Sequence, residues 1–351
     1  MATTGFKPNV YIHLIRHGQS EHNYHAIGYS KDPETYCPED ADPDEKIRRK
    51  QIRDPRLTPH GINEALDLRY RFPYMNELTH ILVSPLSRTL QTAFLAFEPA
   101  IKRGVRPIAL DILRETGKGP NCCGSEISGL LKGFGELGES VLTTEITPGW
   151  EIPRPDASPM ALPMRRNLVL CRLRELANLA RMSGAELTQA RKDFEDLDPD
   201  TCIWSPFNTW LMKYDFPPLQ LGKDVHIAVV THGTFLEWMT LGEGGLFDNA
   251  EFRTYMFEGE EEEGPDPKNG RSLLLMETQE SKRRPDAWLS EEDLMRKMRA
   301  RERVAGMGVD HDEDGLSGKG NPVIENVLEV SGSEIKDLDV GDARREEKRK
   351  L

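Results

Sequence analysis

The amino-acid sequence predicts a three-layer α/β/α fold in which helices cover both faces of a largely parallel sheet. Short, continuous apolar runs such as residues 81–83 and 227–230 have the composition of strands buried on both faces. Stretches with helical periodicity alternate with these runs, as crossover helices do between parallel strands. The chain has 351 residues, which is enough for one large domain with a sizeable core.

The first predicted strand covers residues 10–15 and ends at the tripeptide Arg-His-Gly of residues 16–18. Residues 29–56 carry mixed charge and several prolines, so we expect a surface insertion there. A helix is predicted to begin after Thr58, because threonine is a good N-cap and Pro59 suits the first helical position.

A strand, a loop and a helix then recur along the chain. Residues 81–83 predict the second strand, and residues 86–97 predict the helix that follows it. Residues 107–113 predict a third strand, which ends just before Glu115 and the glycine-rich loop 117–124.

The second half of the chain begins with a predicted insertion at residues 140–215, with helices at 163–182 and 193–214. Residues 225–231 predict a buried strand that runs into His232 and a short helix. Two more strands are predicted, at residues 252–257 and 272–276. We expect one folded domain over residues 1–280 and a charged, largely disordered tail over residues 281–351, which is poor in large apolar residues.

Charge and composition exclude several classes of protein. The 46 Lys and Arg residues against 59 Asp and Glu give a net charge of -13, which disfavours binding to nucleic acid. No apolar stretch has the length of a signal peptide or a membrane span, so we expect a cytoplasmic protein without membrane contact. The five cysteines are an odd number without metal-ligand spacing, which fits a reducing compartment. Nothing in the sequence sets the oligomeric state.

Five polar residues follow predicted strands or begin predicted helices: Arg16, His17, Arg88, Glu115 and His232. The carboxyl ends of parallel strands open on one edge of a sheet, so we expect these side chains to meet in one crevice. A neutral imidazole is a good nucleophile towards phosphorus. The planar guanidinium group of an arginine can donate two parallel hydrogen bonds to phosphoryl oxygens. The set therefore predicts phosphoryl transfer to His17, with Glu115 as proton donor and acceptor and no metal or cofactor.

Other residues near this set are open to more than one interpretation. Gln19 and Asn23 are candidates for phosphate contacts or for ordinary loop capping. His232, if protonated, is expected to add a further positive donor. Three glutamates close to Glu115 are alternatives for the proton-transferring carboxyl: Glu126, Glu136 and Glu139. The remaining histidines form no set with metal-ligand spacing, so we assign no metal.

The segment of residues 14–23 reads LIRHGQSEHN and resembles the signature Arg-His-Gly-x-[Ser/Thr]-x-x-Asn of the histidine phosphatase superfamily, the phosphoglycerate-mutase-like clan. A later segment, NAEFRTY at residues 249–255, is similar to a feature of fungal phosphoglycerate-mutase-like proteins. Further segments resemble that superfamily in the same order: DPRLTPHG at 54–61, SPLSRTLQTA at 84–93, LRE at 113–115 and THG at 231–233.

The resemblance covers residues 10–276 and implies a phosphoglycerate-mutase-like fold. It implies that His17 is phosphorylated, that Glu115 handles protons, and that Arg16, Arg88 and His232 bind phosphate. It does not name a substrate, which is expected to be a small-molecule phosphate ester or a phosphoprotein.

Three functions are compatible with these residues. The leading prediction is a metal-independent phosphatase that hydrolyses phosphomonoesters. The alternatives are a mutase, which returns the phosphoryl group to a second hydroxyl, and a catalytically weak phosphoryl-binding protein. A mutase needs a basic lid that shields the phosphoenzyme from water, whereas residues 29–56 are acidic for much of their length.

Overall fold

A computed structural model describes residues 8–23, 51–152, 161–182, 184–195, 223–258 and 273–283. Within these residues the chain forms a mixed α/β structure around one seven-stranded sheet. The predicted fold class is confirmed. Among the described helices, none combines the length and the apolarity needed to cross a bilayer.

The described strands of the sheet are β1 (Val10–Arg16), β2 (Leu78–Val83), β3 (Pro107–Leu110), β4 (Leu142–Glu145), β5 (Val225–Thr231), β6 (Phe252–Phe257) and β7 (Leu275–Glu277). Their order across the sheet is β4-β3-β2-β5-β1-β6-β7. Strands β1 to β5 are parallel, whereas β6 runs antiparallel to β1 and to β7.

Helices lie on both faces of the sheet, and each face has its own apolar core. Leu14 packs in the core that includes residues of the helices Ala161–Arg181 and Gly233–Met239. Its neighbour Ile15 packs in the core that includes residues of the helices Pro59–Arg71 and Ser87–Lys102. The alternation follows from the two-residue period of a strand. The described helices are α1 (Pro59–Arg71), α2 (Ser87–Lys102), α3 (Ile127–Gly133), α4 (Glu136–Glu139), α5 (Ala161–Arg181), α6 (Gly184–Glu195), α7 (Gly233–Met239) and α8 (Gln279–Lys282).

Helix α1 begins where the sequence predicts it. The hydroxyl of Thr58 accepts a hydrogen bond from the backbone N–H of Gly61 at 3.1 Å, and Pro59 stands at the first helical position. Ala65 and Leu68 of this helix are fully buried against the sheet. The N-cap and the apolar face together fix where α1 starts and which side it buries.

Helix α2 extends five residues beyond the predicted end at Phe97, to Lys102. Phe97 has non-helical dihedrals (φ −110°, ψ 16°), and Pro99 follows it. The helix therefore bends at Phe97 and resumes with the proline in the first turn of the new segment, where a missing N–H is tolerated.

The predicted strand 107–113 is shorter in the structure, because β3 ends at Leu110 and Asp111–Leu113 forms a 3-10 turn. The Asp111 carboxylate accepts hydrogen bonds from the backbone N–H and the hydroxyl of Thr147, which draws the chain out of the strand. The last predicted strand, 272–276, is also shifted: β7 is Leu275–Glu277, because its pairing with β6 sets the register.

Part of the region predicted as the insertion 140–215 belongs to the domain core. Strand β4 extends the sheet at one edge, and α5 buries Val169, Leu170 and Leu173 completely. Helix α6 ends at Glu195, near the start of the helix predicted at 193–214, and residues 196–222 lie outside the described residues. Most of the predicted surface insertion 29–56, up to residue 50, and the predicted tail 281–351 from residue 284 onward also lie outside them.

Candidate active site

The candidate site lies at the carboxyl edge of the parallel strands. β1 and β5 are paired from Val10 with Val225 to Arg16 with Thr231, so the two strands end side by side. His17 therefore lies beside the end of β5, and its backbone N–H donates to the carbonyl of Thr231 at 3.0 Å. The shared edge predicted from the sequence brings distant residues together here.

His17 is buried, with 1% of its surface exposed, and its two ring nitrogens have different partners. Nδ1 lies 2.6 Å from the carbonyl oxygen of Gly18, and Nε2 lies 3.2 Å from the Nε of Arg88. A carbonyl only accepts and a guanidinium only donates, so Nδ1 carries the proton and Nε2 carries the lone pair. Burial, followed by the charges of Arg88 and Arg16, lowers the pKa of His17 well below its ordinary value. The imidazole is therefore neutral at pH 7, as a nucleophile must be.

Arg16 and Arg88 are held by backbone carbonyls. Nη1 of Arg16 donates to the carbonyl of Phe247 at 2.6 Å, and Nη1 of Arg88 donates to the carbonyl of Asn121 at 3.0 Å. Burial lowers the pKa of both guanidinium groups, but arginine stays charged at any physiological pH. Two fixed positive charges thus flank His17.

Three buried nitrogens around His17 have no hydrogen-bond partner among the described residues: Nε of Arg16, Nη2 of Arg88 and Nδ1 of His232. Buried polar groups are otherwise almost always paired, because an unpaired one costs about 1–3 kcal/mol. Two of the three belong to guanidinium groups, which can only donate. This arrangement fits an oxyanion with several acceptor oxygens.

His232 is fully buried and neutral in this structure. Its Nε2 lies 2.9 Å from the hydroxyl of Ser84, and its Nδ1 lies 3.9 Å from Oε2 of Glu115. Burial, followed by the charge of Arg88, lowers the pKa of His232 well below its ordinary value. The further positive charge expected from a protonated His232 is therefore missing at neutral pH in this state.

Glu115 faces the cavity beside His17. One carboxylate oxygen, Oε1, accepts from the backbone N–H of Thr116 at 2.8 Å, which leaves Oε2 on the side of His232. Glu126, one of the alternatives, caps helix α3 by accepting from its first backbone amides. Glu136 and Glu139 lie in α4, and neither lines the cavity formed by the described residues.

The two predicted amide side chains have different positions. Asn23 lines the cavity, and its Oδ1 accepts a hydrogen bond from the hydroxyl of Ser20 at 2.7 Å. Gln19 is outside the cavity lining, where its Oε1 accepts from the hydroxyl of Thr58 at 2.8 Å. Gln19 thus connects the loop after β1 to the start of α1.

Sequence reasoning missed His22, which lines the cavity next to Asn23. Its Nδ1 lies 2.8 Å from the Ser20 hydroxyl, and its ring centroid lies 6.3 Å from that of His17. Burial and the nearby charges of Arg88 and Arg16 lower the pKa of His22 to about 2. The available signal was its place inside the Arg-His-Gly signature segment.

The cavity has a volume of about 330 Å³. Much of the cavity lining comes from the loop after Glu115. Burial, followed by the charge of Glu115, raises the pKa of Cys122 to about 11, so this thiol stays protonated at neutral pH. Within the described residues, no cluster of three or more metal-ligating side chains is present. The lining residues are Arg16, His17, His22, Asn23, Glu115, Thr116, Gly117, Gly119, Asn121, Cys122, Gly233 and Thr234.

Comparison with protein families gives one match. Residues 12–121 match the sequence profile of the Histidine phosphatase superfamily (branch 1). This range contains Arg16, His17, Arg88 and Glu115, while His232 lies beyond it. The match supports the resemblance to that superfamily, and the sheet with its flanking helices is consistent with the phosphoglycerate-mutase-like fold. The similarity to fungal members stays a prediction.

Several solved structures are similar to this chain at low identity. An ecdysone phosphate phosphatase from Bombyx mori is 12% identical, with a TM-score of 0.38, 90% of this chain covered and 99% of that one. A phosphoserine phosphatase mutant from Entamoeba histolytica is 16% identical, with a TM-score of 0.33, and the match covers 72% of this chain and 92% of that one. A mycobacterial glucosyl-3-phosphoglycerate phosphatase is 14% identical, with a TM-score of 0.34, and the match covers 77% of this chain and 97% of that one. No curated protein sequence matched the chain.

Proposed function

We propose that this protein is a metal-independent phosphatase that hydrolyses phosphomonoesters through a phosphohistidine on His17. One observation carries the proposal: Nε2 of His17 is held as an unprotonated base beside Arg88, among buried nitrogens that have no partner within the described residues. A nucleophile and donors for an anion are thus present in the same cavity.

In the first step, the Nε2 lone pair of His17 attacks the phosphorus of a phosphomonoester dianion. The bond between phosphorus and the ester oxygen breaks, and the leaving oxygen takes a proton from Glu115. Glu115 lines the same cavity as His17, and its Oε2 lies 3.9 Å from Nδ1 of His232. The products are the alcohol and a phosphohistidine.

In the second step, a water molecule attacks the phosphorus and the P–N bond breaks. The Glu115 carboxylate, now deprotonated, takes the proton from this water, so the same group acts first as acid and then as base. Inorganic phosphate leaves, and Nε2 of His17 regains its lone pair. The Nδ1 contact with Gly18 keeps the tautomer correct throughout the cycle.

Charge on the phosphoryl oxygens is balanced by the two arginines. Arg16 and Arg88 keep unpaired nitrogens while their Nη1 atoms are held by carbonyls, so their remaining donors are preorganised. Fixed donors of this kind stabilise developing charge without a cost of reorganisation. In this proposal the guanidinium groups neutralise the charge on the phosphoryl oxygens, which Mg²⁺ neutralises in many phosphoryl-transfer enzymes.

Hydrolysis of a generic aryl phosphate tests the proposal. Wild type, His17→Ala and the control His60→Ala are compared with and without EDTA; His60 is partly exposed on α1, outside the cavity lining. We expect turnover by wild type and His60→Ala that survives EDTA, and none by His17→Ala. Activity that persists in His17→Ala would reject the mechanism. A wild type that binds phosphate without turnover on any phosphomonoester would favour phosphoryl transfer between hydroxyls, or simple binding.

A further inference from the structure

The backbone between α7 and β6 touches both residues at the end of β1. The backbone N–H of Arg16 donates to the carbonyl of Glu251 at 3.0 Å, and that of Ala250 donates to the carbonyl of His17 at 3.3 Å. The carbonyl of Phe247 accepts from Nη1 of Arg16 at 2.6 Å. The position of residues 247–251 therefore decides where the Arg16 guanidinium points.

Arg253, on β6, uses most of its donors to bind the residues just before this segment and Glu251 within it. Its Nη1 donates to the carbonyls of Gly244 and Gly245 at 2.8 and 3.2 Å. Its Nη2 donates to the carbonyl of Leu246 at 2.8 Å. Three successive carbonyls are thus held by one side chain, and the next carbonyl along the chain is the one that holds Arg16.

Two further contacts of Arg253 fix the segment from the other side. Its Nε donates to Oε1 of Glu251 at 2.6 Å, and Oε2 of Glu251 accepts from the backbone N–H of Asp248. The guanidinium carbon lies 4.0 Å from the ring centroid of Phe247, in cation–π geometry. Only an arginine, with five donors in a planar fork, can make this set of contacts.

The glycine-rich loop of residues 242–245, just before this segment, does not fix one backbone conformation by itself. Gly242, Gly244 and Gly245 have φ values of 79°, 77° and 71°, in the left-handed region that glycine adopts without strain. A Cβ atom at Gly244 would lie 2.7 Å from Nη1 of Arg253, so the close approach requires glycine as well. A glycine-rich loop needs an external constraint to keep one conformation.

We propose that Arg253 is a positioning residue for the phosphoryl-binding arginine Arg16, acting through the carbonyl of Phe247. The proposal rests on the proposed function only in that Arg16 is taken to contact phosphate. With Nη1 of Arg16 held by Phe247, the unpaired Nε stays fixed on the side of Gly233, which lines the cavity. Without Arg253, the loop and the carbonyl of Phe247 are free to move, and Arg16 loses its fixed direction.

The variant Arg253→Lys keeps the positive charge but lacks the planar guanidinium group, so it cannot make all of these hydrogen bonds at once. Arg69→Lys is its matched control, because Arg69 also pairs with a carboxylate, Glu98 at 2.7 Å, and with a carbonyl, Leu95 at 2.7 Å, but lies outside the cavity lining. The rate at which phenylglyoxal modifies Arg16 is followed by mass spectrometry in the full-length proteins. We expect Arg253→Lys to raise this rate severalfold and Arg69→Lys to leave it unchanged.

Affinity for inorganic phosphate, measured by calorimetry, gives the second readout. We expect Arg253→Lys to weaken it about tenfold, which is the scale of one charge-assisted hydrogen bond. In an Arg16→Gln background the same change is expected to have no further effect, because residues that act through one another are not additive. Additive losses, or an equal loss in Arg69→Lys, would overturn the proposal.

The modification readout needs no turnover, so a failure of the proposed phosphatase activity stays distinguishable from a failure of this inference. An unchanged rate of Arg16 modification in a folded Arg253→Lys protein would overturn the positioning role whatever the activity. Thermal unfolding checks that the variant folds. Should it not fold, Glu251→Gln weakens the same set of contacts and replaces it, with the same expected increase in Arg16 modification.

Discussion

The Nε of Arg88 donates to Nε2 of His17 at 3.2 Å. This contact joins the first turn of α2 to the residue after β1, and it occupies the lone pair that attacks phosphorus in the proposed mechanism. In that mechanism, a phosphoryl group that enters the site takes over the donor that Arg88 offers to His17. The contact of Arg88 with the carbonyl of Asn121 holds the guanidinium beside His17 before any substrate binds, so the donor is already in place.

Replacement of Arg88 by lysine is expected to lower kcat/KM for an aryl phosphate by about 10²–10³, the scale for loss of one preorganised donor. Lysine keeps the charge but cannot contact His17, the Asn121 carbonyl and a phosphoryl oxygen at once. Steady-state kinetics checks this, with Arg103→Lys at the exposed end of α2 as the control. A loss below threefold in Arg88→Lys would contradict the role.

Glu115→Gln separates proton transfer from binding. In the proposed mechanism an alkyl leaving group needs a proton from Glu115, whereas a nitrophenolate leaves without one. We expect hydrolysis of an alkyl phosphate to fall about 10²–10⁴-fold, and formation of phosphohistidine from p-nitrophenyl phosphate to fall much less. Rapid-quench measurement of the two substrates checks the difference. Glu126→Gln, which alters only the cap of α3, is expected to affect neither; equal losses on both substrates would argue against proton transfer by Glu115.

Gly61→Ala tests the close approach of α1 to the signature loop. A Cβ atom at Gly61 would lie 1.9 Å from the carbonyl oxygen of Gln19, and one at Gly18 would lie 2.5 Å from the carbonyl oxygen of Gly61. Because backbone must move to relieve such overlaps, we expect a loss of about 1–3 kcal/mol in the free energy of unfolding. At Gly184, a Cβ atom meets nothing within 4 Å, so Gly184→Ala is expected to be neutral or stabilising. Urea unfolding of both variants distinguishes the two cases.

Stability is expected to fall on acidification because of His80. Burial lowers its pKa from 6.5 to about 4 in the folded protein. Below pH 6.5 the unfolded chain therefore binds a proton that the folded chain excludes, so His80 reduces stability by up to about 1.4 kcal/mol per pH unit until pH approaches 4. The free energy of unfolding, measured from pH 7 to pH 5, is expected to fall less steeply in His80→Gln. Parallel slopes in the two proteins would contradict this prediction.

Elements with a strong local signal were predictable. Strand β5 has seven consecutive buried residues, and α1 has the cap Thr58 and the proline Pro59 where a helix should begin. Elements that depend on contacts with residues distant in the sequence were not predictable. The four-residue strand β4 is defined by its pairing with β3. Strand β3 ends early because the carboxylate of Asp111 accepts a hydrogen bond from the backbone N–H of Thr147.

The α/β class was predictable from the sequence, and so was the sheet edge at which the site residues lie, because a buried strand and the residue after it are local features. These residues are Arg16, His17, Arg88, Glu115 and His232. Their chemical states follow only from the folded structure, which shows the partner of each His17 nitrogen, the burial that lowers the pKa of His232, and the carbonyl that holds each arginine. Those states depend on burial and on partners up to 231 positions away, as for Arg16 and Phe247. Local pattern carries no information about such distant contacts, so only the folded chain defines them.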